Sequence, residues 1–174
     1  MSFLQQVNVK YAVAKAVDSR LHGFLEEATR RFSGILKKNG LGSFFPVIKV
    51  KEDPKKRNWL ALYRSGSALR SNPIIWVNPD FIKICDNHNV IDPTEPLLDT
   101  LLHELWHGMA DVIRLRSRYV GSKYTNPVPD ETDQGRGEED AAELVISLLS
   151  RGKFKESPMG KAFLDTLNWN IARN

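Results

Sequence analysis

Residues 103–107 read His-Glu-Leu-Trp-His. Two histidines four positions apart stand one above the other on a single helical face, so both imidazoles can reach one metal ion. Zinc takes nitrogen ligands at about 2.0–2.1 Å, and a zinc site that does chemistry uses three protein ligands plus a water. His103 and His107 would supply two of the three. Glu104 lies beside them, placed to take a proton from a water whose pKa a bound Zn2+ brings toward about 7. Leu102, Leu105, Trp106, Gly108 and Met109 are all uncharged, which suits a helix packed inside a protein.

A helix must hold these groups, and its apolar stripe is legible. Leu97, Leu98, Leu101, Leu102, Leu105, Met109, Val112 and Ile113 recur at helical spacing. Asp92-Pro93-Thr94-Glu95 reads as its start, with Asp92 or Thr94 as the capping residue and proline in the first turn. Ala141 to Leu149 is a second strongly apolar run and predicts another buried helix, opened by the acids Glu138, Glu139 and Asp140. Residues 114–137, polar and rich in Gly, Pro, Asp and Arg, read as a long connection between the two helices that overhangs the cleft.

Upstream, apolar residues from Phe3 to about Lys38 recur at helical spacing and predict one long or two shorter helices, stopped by Asn39-Gly40. Phe44–Val50, Trp59–Tyr63 and Ile74–Val77 are short runs rich in β-branched and aromatic residues. They predict three strands, antiparallel through the first pair. Met159 to Ile171 reads as a final packing helix after the break at Ser157-Pro158.

The 174 residues fit one domain with a real core. With 41% hydrophobic and 26% charged residues, disordered, fibrous and disulfide-scaffold classes are excluded. Cys85 is the single cysteine and cannot form an internal disulfide, so a reducing compartment is the expectation. No run approaches the roughly 20 apolar residues of a membrane span, and the first residues lack a secretory pattern, so a cytoplasmic location is expected. The net charge of +4 is uneven: residues 1–72 carry 14 Lys and Arg against 5 Asp and Glu, and the remainder 11 against 16. The basic part suits a polyanion or an acidic partner, and the acidic part suits a cation.

At His103, Glu104 and His107 the chain resembles the zincin metallopeptidases. The stretches Ile74–Pro79 and Leu97–Gly108 are also similar to small SprT-like proteases, in which a strand precedes the motif helix; that likeness covers residues 73–110. The resemblance implies zinc on His103 and His107, with Glu104 as general base. SprT-like enzymes add a downstream histidine, whereas His22 and His88 both precede the motif, and Ile113 stands where metzincins need His or Asp. The third ligand is therefore sought among acids.

Asp111 lies one turn past His107, but three successive ligands on one straight helix span too great a length for one ion, so Asp111 fits a supporting role. Asp130 and Asp133 lie on the connection, without a scaffold to hold them. Glu139-Asp-Ala-Ala-Glu143 resembles the gluzincin signature, which implies Glu139 as ligand and Glu143 as the acid that orients a metal-bound histidine. Glu138 is the alternative ligand, one residue out of register. Glu139 is preferred because only that choice leaves an acid at the fourth position.

The expectation is an α+β, zincin-like single domain over residues 1–174, with N-terminal helices, a small three-stranded sheet, and the HExxH helix packed on a second metal-site helix. Its function would be zinc-dependent hydrolysis of peptide bonds in a protein or peptide substrate. Glu104 would pass the proton of the attacking water to the departing amine. The Ile74–Val77 strand is the candidate edge for an extended substrate, and Tyr119 or Tyr124 the candidate oxyanion partner. Two other readings stand beside this one: a zincin-fold interaction module without proteolysis, and a DNA-associated SprT-like protease using the basic N-terminal half.

Overall fold

A computed structural model describes residues 7, 9–53, 55, 59–64, 73–121, 127–128 and 136–173, without the side chains of 119, 120, 136 and 170–173. The architecture is α+β: five α-helices and a four-stranded open sheet. In chain order the elements are β1 (Val9–Ala12), α1 (Arg20–Lys38), β2 (Val47–Lys51), β3 (Ala61–Arg64), β4 (Ile74–Val77), α2 (Phe81–Asn87), α3 (Thr94–Val120), α4 (Arg136–Ser150), a 3-10 turn (Phe154–Glu156) and α5 (Pro158–Arg173). Among the described residues no helix is long and apolar enough to cross a membrane.

The start of the chain departs from the helical expectation. Residues 9–12 form a strand paired in parallel with β2, and the helix begins only at Arg20. The valines at 7, 9 and 13 alternate with polar or exposed positions, a period of two that the helical count absorbed. Asp18 opens α1 by accepting the Arg20 N–H at 2.9 Å. Asn39 and Gly40 end it as expected, Gly40 at a φ of 71°. Asn39 is fully buried: its amide donates to the carbonyls of Ile35 and Leu149, both at 2.8 Å, and accepts the Phe154 N–H at 3.2 Å. One side chain thus ties the ends of α1 and α4 together.

The strand order is β1-β2-β4-β3, with β1, β2 and β4 parallel and β3 antiparallel to β4. The first predicted pair is therefore not adjacent, and the strand expected at the edge, β4, is internal. Every residue of Ile74-Ile-Trp-Val is apolar, which suits a strand flanked on both sides, whereas Arg64 ends a strand that tolerates an edge. On one face Ile48, Val50, Ile75 and Val77 are fully buried against the helices. The opposite face carries the half-buried and exposed positions.

The stripe from Leu97 to Ile113 forms the buried side of α3, each residue at most 7% exposed. Asp92 accepts the Thr94 N–H at 3.0 Å at the head of this helix, and Pro96 sits in the first turn, where its missing donor costs no ladder bond. The helix does not stop near Ile113; it continues to Val120 before Gly121 turns the chain at a φ of 67°. Polar composition alone had suggested a loop from 114, but Arg114, Leu115 and Arg116 are good helix formers. The connection shrinks to 121–135, and the expected overhang falls mostly on residues outside those described. The last helix follows Ser157-Pro158, with the Ser157 hydroxyl accepting the Gly160 N–H at 3.1 Å.

Candidate metal centre

The motif helix α3 packs against helices α1, α4 and α5 and against strand β3. Trp106, fully buried, donates its indole N–H to the backbone carbonyl of Glu138 at 3.0 Å. That bond sets the first turn of α4 against the motif. Glu138 and Glu139 both occupy this turn, where the helix N-terminus favours carboxylates.

The Nε2 atoms of His103 and His107 lie 3.0 Å apart. Glu139 reaches both: one carboxylate oxygen is 3.0 Å from Nε2 of His103 and the other 3.0 Å from Nε2 of His107. Among the described residues, His103, His107 and Glu139 are the group of three whose donor atoms come close enough to share an ion. Ligands about 2.0–2.1 Å from a tetrahedral zinc stand about 3.3 Å from one another. The donor set and its spacing fit such an ion with a small outward adjustment.

Glu138 does something different. It is almost wholly buried, hydrogen-bonds Nδ1 of His107 and forms an ion pair with Arg114. Burial opposes its charge, but the bonds from His107 and Arg114 hold its carboxyl below the ordinary range. For His107, burial works toward a lower pKa, yet Glu138, Glu104 and Glu139 outweigh it and raise the imidazole. His103 is lowered, chiefly by burial and also by the charge of His107, against the pull of Glu139. With Nδ1 engaged by Glu138, Nε2 of His107 is the atom left facing the cluster.

Glu104 is half-buried and accepts the Tyr63 backbone N–H at 2.6 Å, which fastens the motif to strand β3. Burial raises its carboxyl, partly offset by that N–H and by His107. The Tyr63 hydroxyl hydrogen-bonds Asp111; burial and the acid both raise the phenol, and burial raises Asp111. Asp111 thus supports the strand that borders the site. Gly108 lets the Tyr63 ring approach, since a Cβ there would lie 3.0 Å from Cε2 of that ring.

Beside this cluster lies an open cleft of about 630 Å³ lined by Trp59, Leu60, Ala61, Thr100, Glu104 and Ile146, among others. Glu143 also lines it, and hydrogen-bonds neither imidazole; the carboxylate that orients His107 is Glu138. The gluzincin-like spacing predicts that acid one turn after the ligand, at Glu143, whereas in the structure it stands one residue before the ligand, at Glu138. Asp140 is exposed. Asp130, Asp133 and Tyr124 lie outside the described residues, as does the side chain of Tyr119. Tyr63, Arg114 and the indole of Trp106 were not found from sequence. Only Arg114 carried a signal, seven residues and two turns beyond His107 on the same face. No protein-family model, curated protein or solved structure matches the chain.

Proposed function

We propose that the protein is a zinc-dependent peptidase in which His103, His107 and Glu139 hold the ion and Glu104 is the general base. The observation that carries this reading is the meeting of two Nε2 atoms and one carboxylate at mutual distances of 3.0 Å, with Glu104 on the wall of the adjoining cleft. A divalent ion held there supplies Lewis acidity toward a carbonyl and brings the pKa of a water toward neutrality.

The remaining steps belong to the chain's own groups. Glu104 takes a proton from the attacking water at its carboxylate and delivers it to the amine as the peptide bond breaks. Burial raises its carboxyl, which strengthens it as an acceptor of that proton. Glu138 and Arg114 keep the His107 ring from turning. Strand β3, not β4, is the sheet edge beside the motif, and an extended peptide would align along it. The apolar walls at Trp59, Leu60 and Ile146 give its side chains a surface to bury.

The test compares the zinc-loaded protein with Glu104→Gln on a quenched-fluorescence peptide library. Hydrolysis by the first and loss of at least about a thousandfold in the second, with zinc retained in both, supports the reading. Equal hydrolysis by both, or none by either, contradicts it. Zinc bound without hydrolysis by either would favour the interaction-module alternative.

A further inference from the structure

The cleft beside the ligand set does not end at its own wall. Trp59 and Leu60 border it, and the same two residues border a second cavity of about 400 Å³ together with Ile84, Asn87 and His88. Trp59, Ile84 and Asn87 in turn line a third, of about 800 Å³. The topology explains why the three follow one another. β3 is antiparallel to β4, so its start lies beside the end of β4, with Ala61 opposite Val77. Asn78 pins the two residues before β3: its side-chain amide donates to the Trp59 carbonyl at 2.7 Å, and its backbone N–H to the Leu60 carbonyl at 3.0 Å. Ala12, Lys51 and Asn78, at the carboxyl ends of β1, β2 and β4, border the third cavity. The crevice outside the carboxyl ends of parallel strands is where open sheets bind their ligands. From β3 across to β1 is three strand spacings, about 14 Å, or about four residues of extended chain.

We infer that a peptide chain bound in the cleft continues over Trp59 and Leu60, seats an apolar side chain against Ile84, and lays about four further residues across the strand ends. The inference rests on the peptidase reading and gives its substrate class: unfolded segments of protein chains, not di- or tripeptides. Two features select this occupant. The passage out of the cleft is apolar, with Trp59 and Ile84 half-buried and Leu60 exposed, which suits a side chain in search of cover. The far cavity is polar and balanced: among its described lining residues Lys15, Lys51 and Lys83 are matched in number by Glu52, Asp53 and Asp80, and the Lys15 ammonium already lies 2.9 Å from Asp80. A polyanion meets no surplus of positive charge there, whereas a peptide backbone meets both donors and acceptors. A chain aligned along β3 would leave that edge at Leu60, at the mouth of the second cavity.

The test is fluorescence anisotropy of the zinc-loaded Glu104→Gln protein, which leaves peptides uncut, with fluorescein-labelled randomised peptide pools of about four and about twelve residues. The longer pool binds at least about tenfold tighter, the gain expected from covering one large apolar side chain. A twelve-residue pool made without apolar residues loses most of that advantage. Asn87 lies at the exposed end of α2 and lines only the second and third cavities of the three. Asn87→Trp obstructs the passage between them, and the advantage of length falls to about twofold or less. Equal affinity for the two lengths overturns the inference, as does an advantage that Asn87→Trp leaves intact. Length-dependent binding that Asn87→Trp abolishes, in a protein that with Glu104 in place hydrolyses neither pool, supports the groove and contradicts the peptidase reading. Hydrolysis with no dependence on length does the reverse.

Discussion

His107 and Glu138 hold each other: the imidazole presents Nδ1 to a carboxylate whose other oxygen is gripped by Arg114. The arrangement buries a charged acid beside the ligand set and leaves Nε2 as the donor that faces His103 and Glu139. Orientation of a ligating histidine by a carboxylate is worth about 10- to 100-fold in metal affinity. Glu138→Gln keeps the shape and removes the charge. Its affinity for zinc, measured by competition with a chromophoric chelator, is expected to fall within that range, while circular dichroism stays unchanged. Unaltered affinity would show that the ring needs no such support.

Glu139 and Glu143 make opposite predictions although both are exposed acids on one helix. Glu139 touches both Nε2 atoms, so Glu139→Ala is expected to lose zinc on dialysis. Glu143 lines the cleft without reaching either ring, so Glu143→Gln is expected to keep about one zinc per chain. Elemental analysis of the two dialysed variants checks this. Zinc lost from Glu143→Gln and kept by Glu139→Ala would reverse the assignment.

The acid limb of activity should follow Glu104. A general base works deprotonated, and burial raises this carboxyl above its ordinary value. Activity is then present above the raised pKa and lost as pH falls through it. The profile of kcat/KM is expected to break above the ordinary glutamate value of about 4.3. A break at or below that value, with zinc still bound, contradicts the role given to burial.

What could be read from the sequence was local. HExxH spacing places two rings on one face of any helix, and the apolar stripe of α3 and the start of α4 fixed which helices meet. Preference for Glu139 over Glu138 came from a spacing argument that assigned the orienting acid to Glu143. The ligand position fits the geometry, but the acid on Nδ1 of His107 is Glu138, because that contact joins residues 31 apart in the chain and depends on how the two helices pack. Tyr63 escaped notice because its contact with Glu104 spans 41 residues and uses a backbone N–H, which every residue but proline has. Strand order was lost for a related reason. β3 follows β2 in the chain, yet β2 pairs with β1 and with β4, a non-local choice that gives Ile74–Val77 a strand on each side and leaves β3 at the edge. Val9–Ala12 is too short for its period of two to stand out beside a helix of 19 residues.

The most direct measurement is anomalous diffraction at the zinc edge from crystals of the zinc-loaded protein. One ion is expected with Nε2 of His103 and of His107 at about 2.0–2.1 Å and a Glu139 oxygen at about 2.0–2.2 Å, while Glu138 remains on Nδ1 of His107. An ion seated elsewhere, or coordinated by Glu138 with Glu139 turned to solvent, would contradict the assignment.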